Sequence, residues 1–379
     1  MIRLTEAECI ELKRIKDTLH TNPELSLNEY NTTEIIKRKL TELGIELIPF
    51  GLPTGVVGRV KGKNSSVCIA LRSDIDALSH TERADVSPIS GVPGVMHGCG
   101  HDFHTTCLLG AAILLSKEQP PCDVLLVFQH AEEIMEGARQ LVAKGLFDYP
   151  IVRMYGMHNR PEIDTGLVVI HKGPLMAAKD NFEIVIKGIG GHSSMPHKCE
   201  DVIVAAAGVI SAINTIVSRN IDPYEAAVVS LCSIHGGTPE NLPIDTVKLT
   251  GSIRSYDEQV RNTILTRIKL IVESVAKGYG CTGEFTVIES GPAVINSEAM
   301  YARARNAAAL AMGEEAITDC RPCMASEDFA IYSQYTETFF YWLGVGSEEN
   351  RFPWHNDRFH TDDTALKYGA ELLYASVLV

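Results

Sequence analysis

Apolar and polar positions follow two different rhythms along the 379-residue chain. Residues 5–19 and 31–43 place apolar side chains at helical spacing and charges on the opposite face. Strand-like runs follow, from Thr54 to Lys61 and from Ser66 to Arg72, then a helical pattern from about Thr105 to Ser116. The run Asp123-Val-Leu-Leu-Val-Phe128 is nearly all apolar, as a strand covered on both faces reads. A helix over Gly137 to Lys144 and a strand over Ile151 to Met157 continue the alternation. Strands alternating with helices predict an α/β domain around a central sheet.

The rhythm changes near Ala177. Asn181 to Lys187 alternates strictly, as a half-exposed antiparallel strand does. A helix from about Asp201 to Ser218 comes next, then strands near Ala226–Ile234 and Thr246–Arg254. A helix near Glu258–Lys277 and a strand near Glu284–Glu289 complete a β-α-β-β-α-β order, the ferredoxin-like signature. Helix and strand alternate again after Gly291-Pro292. The expected organisation is an α/β domain made of residues 1–176 and 292–379, with an α+β domain, 177–291, inserted in it.

Composition narrows the function classes. The length exceeds one ordinary core, and 45% hydrophobic with 22% charged residues is a globular mixture. A formal net charge of -14 repels phosphate backbones, so nucleic acid is not an expected partner. The first twenty residues carry charges throughout and no apolar signal core. The longest apolar stretch, Val202 to Ile213, is too short to span a bilayer, so no membrane association is expected. Ten scattered cysteines then read as thiols in a reducing compartment, the cytoplasm. Cys320-x-x-Cys323 has redox or zinc-knuckle spacing but lacks a second such pair, and it is read as coincidence.

The chemistry lies in four segments. Gly94-Val-Met-His-Gly-Cys-Gly-His-Asp-Phe-His104 packs three histidines, a cysteine and an aspartate between glycines. In extended backbone Cys99 and His101 would share a face, and thiolate with imidazole suits zinc, manganese, nickel or cobalt better than magnesium or calcium. The alternative is a chance histidine-rich loop. In the second segment the apolar strand runs into Glu132-Glu133. In extended chain these carboxylates would point to opposite sides, one to a metal and one to act as a general base; the alternative is an acidic helix start. Met154-Tyr-Gly-Met-His158 is a third strand-like run ending in a ligand type, and Phe352-Pro-Trp-His355 adds a loop histidine. Ligands in open α/β sheets gather outside the carboxyl ends of the strands, so one shared site explains these runs better than separate coincidences.

At this point the chain resembles the metallopeptidase family of aminoacylases, hippurate hydrolases, auxin-conjugate hydrolases and N-acetyl-diaminopimelate deacetylases. The resemblance spans nearly the whole chain: Leu19-His20 with Pro23-Glu-Leu25, Leu71-Arg-Ser-Asp-Ile-Asp-Ala-Leu78, Cys99-Gly-His-Asp102 and Phe128-Gln-His-Ala-Glu-Glu133, then Gly190-Gly-His-Ser-Ser-Met-Pro-His197, Asn241-Leu-Pro-Ile244 and Ser326-Glu-Asp-Phe329. It implies that Cys99, His101, Glu133, His158 and His355 bind two divalent ions per subunit, manganese or zinc ahead of nickel or cobalt. It implies Glu132 as the base that takes a proton from water and returns it to the leaving nitrogen. The inserted domain becomes a lid that forms a homodimer, and His192 becomes an oxyanion donor reaching the neighbouring subunit's site. Asn241 and Arg254 are candidates for holding the carboxylate of a small N-acyl amino acid, with a surface arginine as the alternative for Arg254. Asp74, Asp76 and Asp102, with His97 and His104, are expected to orient ligands. Glu327 and Asp328 either support His355 or cap a helix. The family usually has proline at the positions of Ser79 and His130, and Asn-Val-Ile-Pro where Asn241-Leu-Pro-Ile244 stands, which bears on specificity.

The expected activity is therefore N-deacylation by a two-metal amidohydrolase. Cleavage of short peptides by a metal-dependent carboxypeptidase or dipeptidase is the alternative, since one such site hydrolyses either amide. A thiol hydrolase using Cys99 leaves the Glu132-Glu133 pair unexplained, and a noncatalytic metal-binding protein leaves Glu132 without a role.

Overall fold

The computed structural model describes all residues except 84, 86, 238–241, 349 and 350. The chain divides into two units. One comprises Met1–Leu175, Ile295–Arg321 and Glu327–Val379, the other Met176–Val294 and Pro322–Ser326.

The first unit is built on an eight-stranded mixed sheet. In spatial order its strands are Glu46–Ile48, Val56–Val60, Asp123–Gln129, Cys68–Asp74, Ile151–Asp164, Glu337–Gly346, Val168–Val169 and Ile317–Thr318. Asp123–Gln129, Cys68–Asp74, Ile151–Asp164 and Glu337–Gly346 run parallel, so their carboxyl ends lie on one edge of the sheet. Cys68–Asp74 and Asp123–Gln129 are buried at every position, which is why Asp123–Phe128 reads as a nearly all-apolar run rather than an alternating one. Helix His101–Lys117 is buried from His101 to Leu115 and packs against helices Glu6–Thr21 and Ala365–Leu378. Thr5 and Glu8 form a reciprocal capping box that starts Glu6–Thr21.

The second unit has the β-α-β-β-α-β order expected from the alternating strands. Its four antiparallel strands lie in the order Thr282–Gly291, Ala178–Lys187, Thr246–Ser255 and Ala227–His235. Ala178–Lys187 alternates buried and half-buried positions along nearly its whole length, and the buried set packs with helices Val202–Ile213 and Glu258–Gly278. Asp201 caps the first of these helices by accepting from the backbone N–H groups of Ile203 and Val204, both at 3.0 Å. That helix is not continuous to Ser218: it ends at Ile213, and a separate turn spans Ile216–Asn220. Asn214 Nδ2 bonds the carbonyl of Ile210 and Thr215 Oγ1 that of Ala212, and such local side-chain bonds compete with helix continuation. No helix among the described residues is long and apolar enough to cross a membrane.

Candidate metal centre and active site

Cys99 and His101 do not lie in extended chain. Gly100 adopts φ 84° and ends the loop, and His101 is the first residue of helix His101–Lys117. A side chain at position 100 would be strained at that φ, and a Cβ there would sit 2.5 Å from Asn159 Nδ2. The two ligand types converge because the helix begins between them, not because they share a strand face.

Glu132 and Glu133 also depart from the extended expectation. The strand ends at Gln129, Ala131 takes φ 50°, and the chain turns so that the Met135 N–H donates to the Glu132 carbonyl at 2.7 Å. Gly137 closes this turn, where a Cβ would lie 1.7 Å from the carbonyl oxygen of His130. As a result both carboxylates approach one imidazole: Glu133 Oε1 is 3.8 Å and Glu132 Oε2 3.9 Å from His101 Nε2. His158 lies within the long strand Ile151–Asp164 rather than at its end. Its Nε2 is 3.4 Å from Cys99 Sγ. His355, held at φ 63° with its N–H on the Gly98 carbonyl at 2.8 Å, brings Nε2 to 3.6 Å from Glu133 Oε1.

The five ligand candidates and the candidate base thus surround one space. Potential ligand atoms of Cys99, His101 and His158 lie within 4.8 Å of one another, as do those of Cys99, Glu133 and His355, and those of His101, Glu132 and Glu133. His101 Nε2 and Glu133 Oε1 are buried with no hydrogen-bond partner, which a cation between them would remedy. A thiol, three imidazoles and carboxylates form a donor set for borderline transition ions. The residues fit a metal pair.

The electrostatics agree. Burial, with Glu327, Glu133, Asp328 and Asp76 close by, pushes the Glu132 carboxyl well above its ordinary range. Burial likewise pushes Glu133 up to about 7, although His101 opposes it. His101 is driven up to about 10 by Asp74, Asp76 and Glu133 in spite of its burial. Burial, with Glu133, Glu132, Asp74 and Glu327 nearby, pushes the Cys99 thiol well above its ordinary value. A thiol so placed is not a ready nucleophile, which counts against the thiol hydrolase.

Of the residues expected to orient ligands, Asp76 touches two candidates: Oδ1 bonds His101 Nδ1 at 3.1 Å, and Oδ2 accepts from the Glu133 N–H at 3.0 Å and from Ser26 Oγ at 2.7 Å. Asp74 holds His104 Nδ1 at 2.6 Å. Asp102 turns away from the candidate ligands. It pairs with His20 Nδ1 at 2.7 Å, and His20 Nε2 meets Glu82 at 3.0 Å, so His20 is pushed up to about 9 against its burial. His97 also bonds no candidate ligand: both its ring nitrogens are buried without a hydrogen-bond partner among the described residues. Glu327 takes the helix-capping role by accepting from the Phe329 N–H at 3.0 Å. His130, at a position where the family usually has proline, is buried and bonds Gln140 at 3.0 Å.

Three expected site residues belong to the second unit. His192 is exposed, and its Nδ1 accepts from the Ser194 N–H at 3.2 Å. Arg254 lies on strand Thr246–Ser255, where its Nη1 donates to the Ile253 carbonyl at 2.9 Å. Asn241 falls outside the described residues.

The sequence reading passed over Arg72. It is fully buried and bonds Gln129 Oε1 at 2.9 Å, Asp74 at 2.8 Å and Asp328 at 2.8 Å, with Glu327 at 2.9 Å. Asp328 also accepts from Gln129 Nε2 and from the Ala138 N–H, while its own N–H meets Glu132 Oε1 at 3.4 Å. A signal was present: an arginine inside an apolar strand must find buried partners.

Comparison with known proteins agrees with this geometry. Residues 70–378 match the profile of peptidase family M20/M25/M40. The chain is 37% identical over 368 residues to the N-acetylcysteine deacetylase of Bacillus subtilis (strain 168), covering 95% of each. It is 36% identical to thermostable carboxypeptidase 2 of Saccharolobus solfataricus, covering 94% of this chain and 92% of that protein. Its fold is similar to the crystal structure of a Bacillus subtilis protein described as a dinuclear metal-binding peptidase of the M20 family, with TM-score 0.85, 33% identity, and 99% and 98% of the two chains covered.

Proposed function

The chain belongs to peptidase family M20/M25/M40 and is a metal-dependent hydrolase of amide bonds, and from that premise we propose that it removes the acyl group from the nitrogen of a small N-acyl amino acid. The observation that carries this reading is the convergence of Cys99, His101, Glu133, His158 and His355 on one space beside the buried carboxyl of Glu132. Those five residues would hold a pair of divalent ions, whose chemistry when bound would be to polarise an amide carbonyl and make water more acidic. The thiol and imidazoles suit zinc, nickel or cobalt and the carboxylates suit manganese, and of these we expect manganese or zinc ahead of nickel or cobalt.

Glu132 takes the proton of the attacking water and delivers it to the departing nitrogen. Its raised affinity for a proton suits that relay. Asp76 holds His101 by Nδ1 and so keeps Nε2 turned to the site. Because the Ser194 N–H donates to His192 Nδ1, the ring proton sits on Nε2, where it serves as a donor to a tetrahedral oxyanion. Arg254 and Asn241 are our candidates for the substrate carboxylate.

The second unit acts, in this reading, as the lid and dimer contact, with His192 supplied to the partner subunit's site. Strand Ala227–His235 lies at an edge of its sheet, and pairing an edge with its two-fold copy closes it. No disulfide joins the described cysteines, which supports a cytoplasmic setting.

The likeness to a carboxypeptidase favours one second reading, release of a terminal residue from short peptides. The test is a screen of acetyl-, benzoyl- and longer-acyl amino acids, alongside short peptides, with protein loaded with single metals. We expect N-acyl amino acids to be the better substrates, chelator to abolish turnover, and manganese or zinc to restore it. Preferred peptide cleavage selects the second reading; turnover that survives chelation refutes both.

A further inference from the structure

The segments that carry the ligands meet at one side chain that is not a ligand. Asn159 follows His158 and is fully buried. Its backbone carbonyl accepts from His158 Nδ1 at 2.9 Å, which leaves the Nε2 lone pair of His158 available beside Cys99. Its Nδ2 donates to the Cys99 carbonyl at 2.6 Å. Its backbone N–H and Nδ2 both reach His104 Nε2 at 2.9 Å, and His104 is fixed through Nδ1 to Asp74. Its Oδ1 accepts from Trp354 Nε1 at 3.0 Å, the residue before His355.

The orientation of this carboxamide follows from its neighbours. The NH₂ end faces two acceptors and the oxygen faces one donor, so the reverse orientation would set like against like. Trp354 is also held from its other sides. Its ring stands edge-on to His158 at 4.6 Å, and the Arg160 guanidinium lies 4.9 Å from it while covering Trp342 at 4.3 Å. One amide therefore ties the Cys99 loop, the His158 strand and the His355 loop together, and each of these supplies a candidate ligand.

We propose that Asn159 is the positioning residue of the metal centre, setting the separation of the Cys99, His158 and His355 donors before any ion arrives. This rests on the ligand assignment made above. Removing a partner that orients ligands costs roughly 10- to 100-fold in metal affinity. Asn159→Asp keeps the shape and the acceptor for Trp354 but turns an oxygen toward the Cys99 carbonyl and His104 Nε2. Trp354→Phe keeps the ring and loses only the N–H that reaches Asn159.

The test is titration of the metal-free, full-length protein with cobalt(II), reading the thiolate-to-cobalt absorption together with stoichiometry; near-UV circular dichroism of the metal-free proteins verifies their folding. Wild type is expected to take two equivalents and to show the thiolate band. Asn159→Asp should weaken both equivalents by about 10- to 100-fold and diminish the band, whereas Trp354→Phe should weaken one equivalent and spare the other. Affinities of folded Asn159→Asp within about threefold of wild type, with the band intact, overturn the proposal. If Asn159→Asp does not fold, Trp354→Phe decides, and two unchanged equivalents overturn it. A wild-type protein that binds cobalt without a thiolate band removes the ligand assignment itself, and the proposal with it.

Discussion

Replacing Arg72 with methionine isolates the buried charge cluster behind the site. The guanidinium is fully buried and bonded to Asp74, Glu327, Asp328 and Gln129, all at 2.8–2.9 Å. Methionine fills much of the volume but leaves three carboxylates without their counter-charge. Breaking a buried ion pair from one side costs about 3–5 kcal/mol. The three costs do not add, because the carboxyls relieve themselves by taking up protons. At about 2–4 °C per kcal/mol for a unit of this size, the melting temperature should fall by roughly 6–20 °C. Arg72→Lys, which keeps the charge and loses the fork, should lose less.

The pH dependence has a definite sign. Although burial raises it, the Asp74 carboxyl is held well below its ordinary range by His101, His104 and Arg72. A carboxyl depressed in the folded state contributes stability that is fully present above its unfolded pKa and is lost as pH falls through the folded value. In the variant the folded value rises, so the gap between wild type and variant should be widest near about pH 8 and narrow toward about pH 4. Calorimetry of both proteins in chelator, across that range, measures it. A melting temperature within about 2 °C of wild type at the upper pH, or a gap that widens on acidification, refutes the reasoning.

Other outcomes follow from the site geometry. Glu132→Gln can keep its contact with the Asp328 N–H and should retain metal while turnover falls by roughly 100- to 10,000-fold; near-normal rates at full occupancy would remove Glu132 as the base. His101→Ala and Glu133→Ala should each lower bound metal in elemental analysis, and unchanged stoichiometry in both would place the centre elsewhere. Mixing inactive Glu132→Gln with inactive His192→Ala protein should regenerate activity in heterodimers, because one site then pairs an intact base with an intact partner histidine. Proven heterodimers without activity would exclude a shared site.

Much of this was legible in the residue pattern, and the reasons are local. Strand Asp123–Gln129 showed itself as a nearly all-apolar run because both of its faces are buried. The candidate ligands could be read off by residue type: Cys99 and His101 flank a helix start and Glu133 follows a strand, whereas His158 sits inside a strand and His355 in a loop. Their geometry was not legible. Two expectations assumed extended chain, whereas Gly100 and Ala131 turn the backbone through positive φ and converge groups that a strand would separate. Asp102 has the sequence position of a ligand support yet faces His20, since the first helical turn points it away from its neighbour His101. Arg72 and Asn159 depend on partners far apart in sequence, and periodicity carries no information about such pairs.

The first unit is discontinuous in sequence, and that sets an order in time. Strand Ile151–Asp164 waits for Glu337–Gly346 to cover its far edge, and roughly 170 residues separate the two. At about 5–20 residues per second, a ribosome needs about 10–35 s to deliver the missing strand. Throughout that interval the nascent chain shows an open, largely apolar sheet edge, while the second unit, nearly contiguous in sequence, emerges ready to fold. A topology of this kind exposes the half-built sheet to aggregation during synthesis, and His355 joins the other candidate ligands only when synthesis is almost complete.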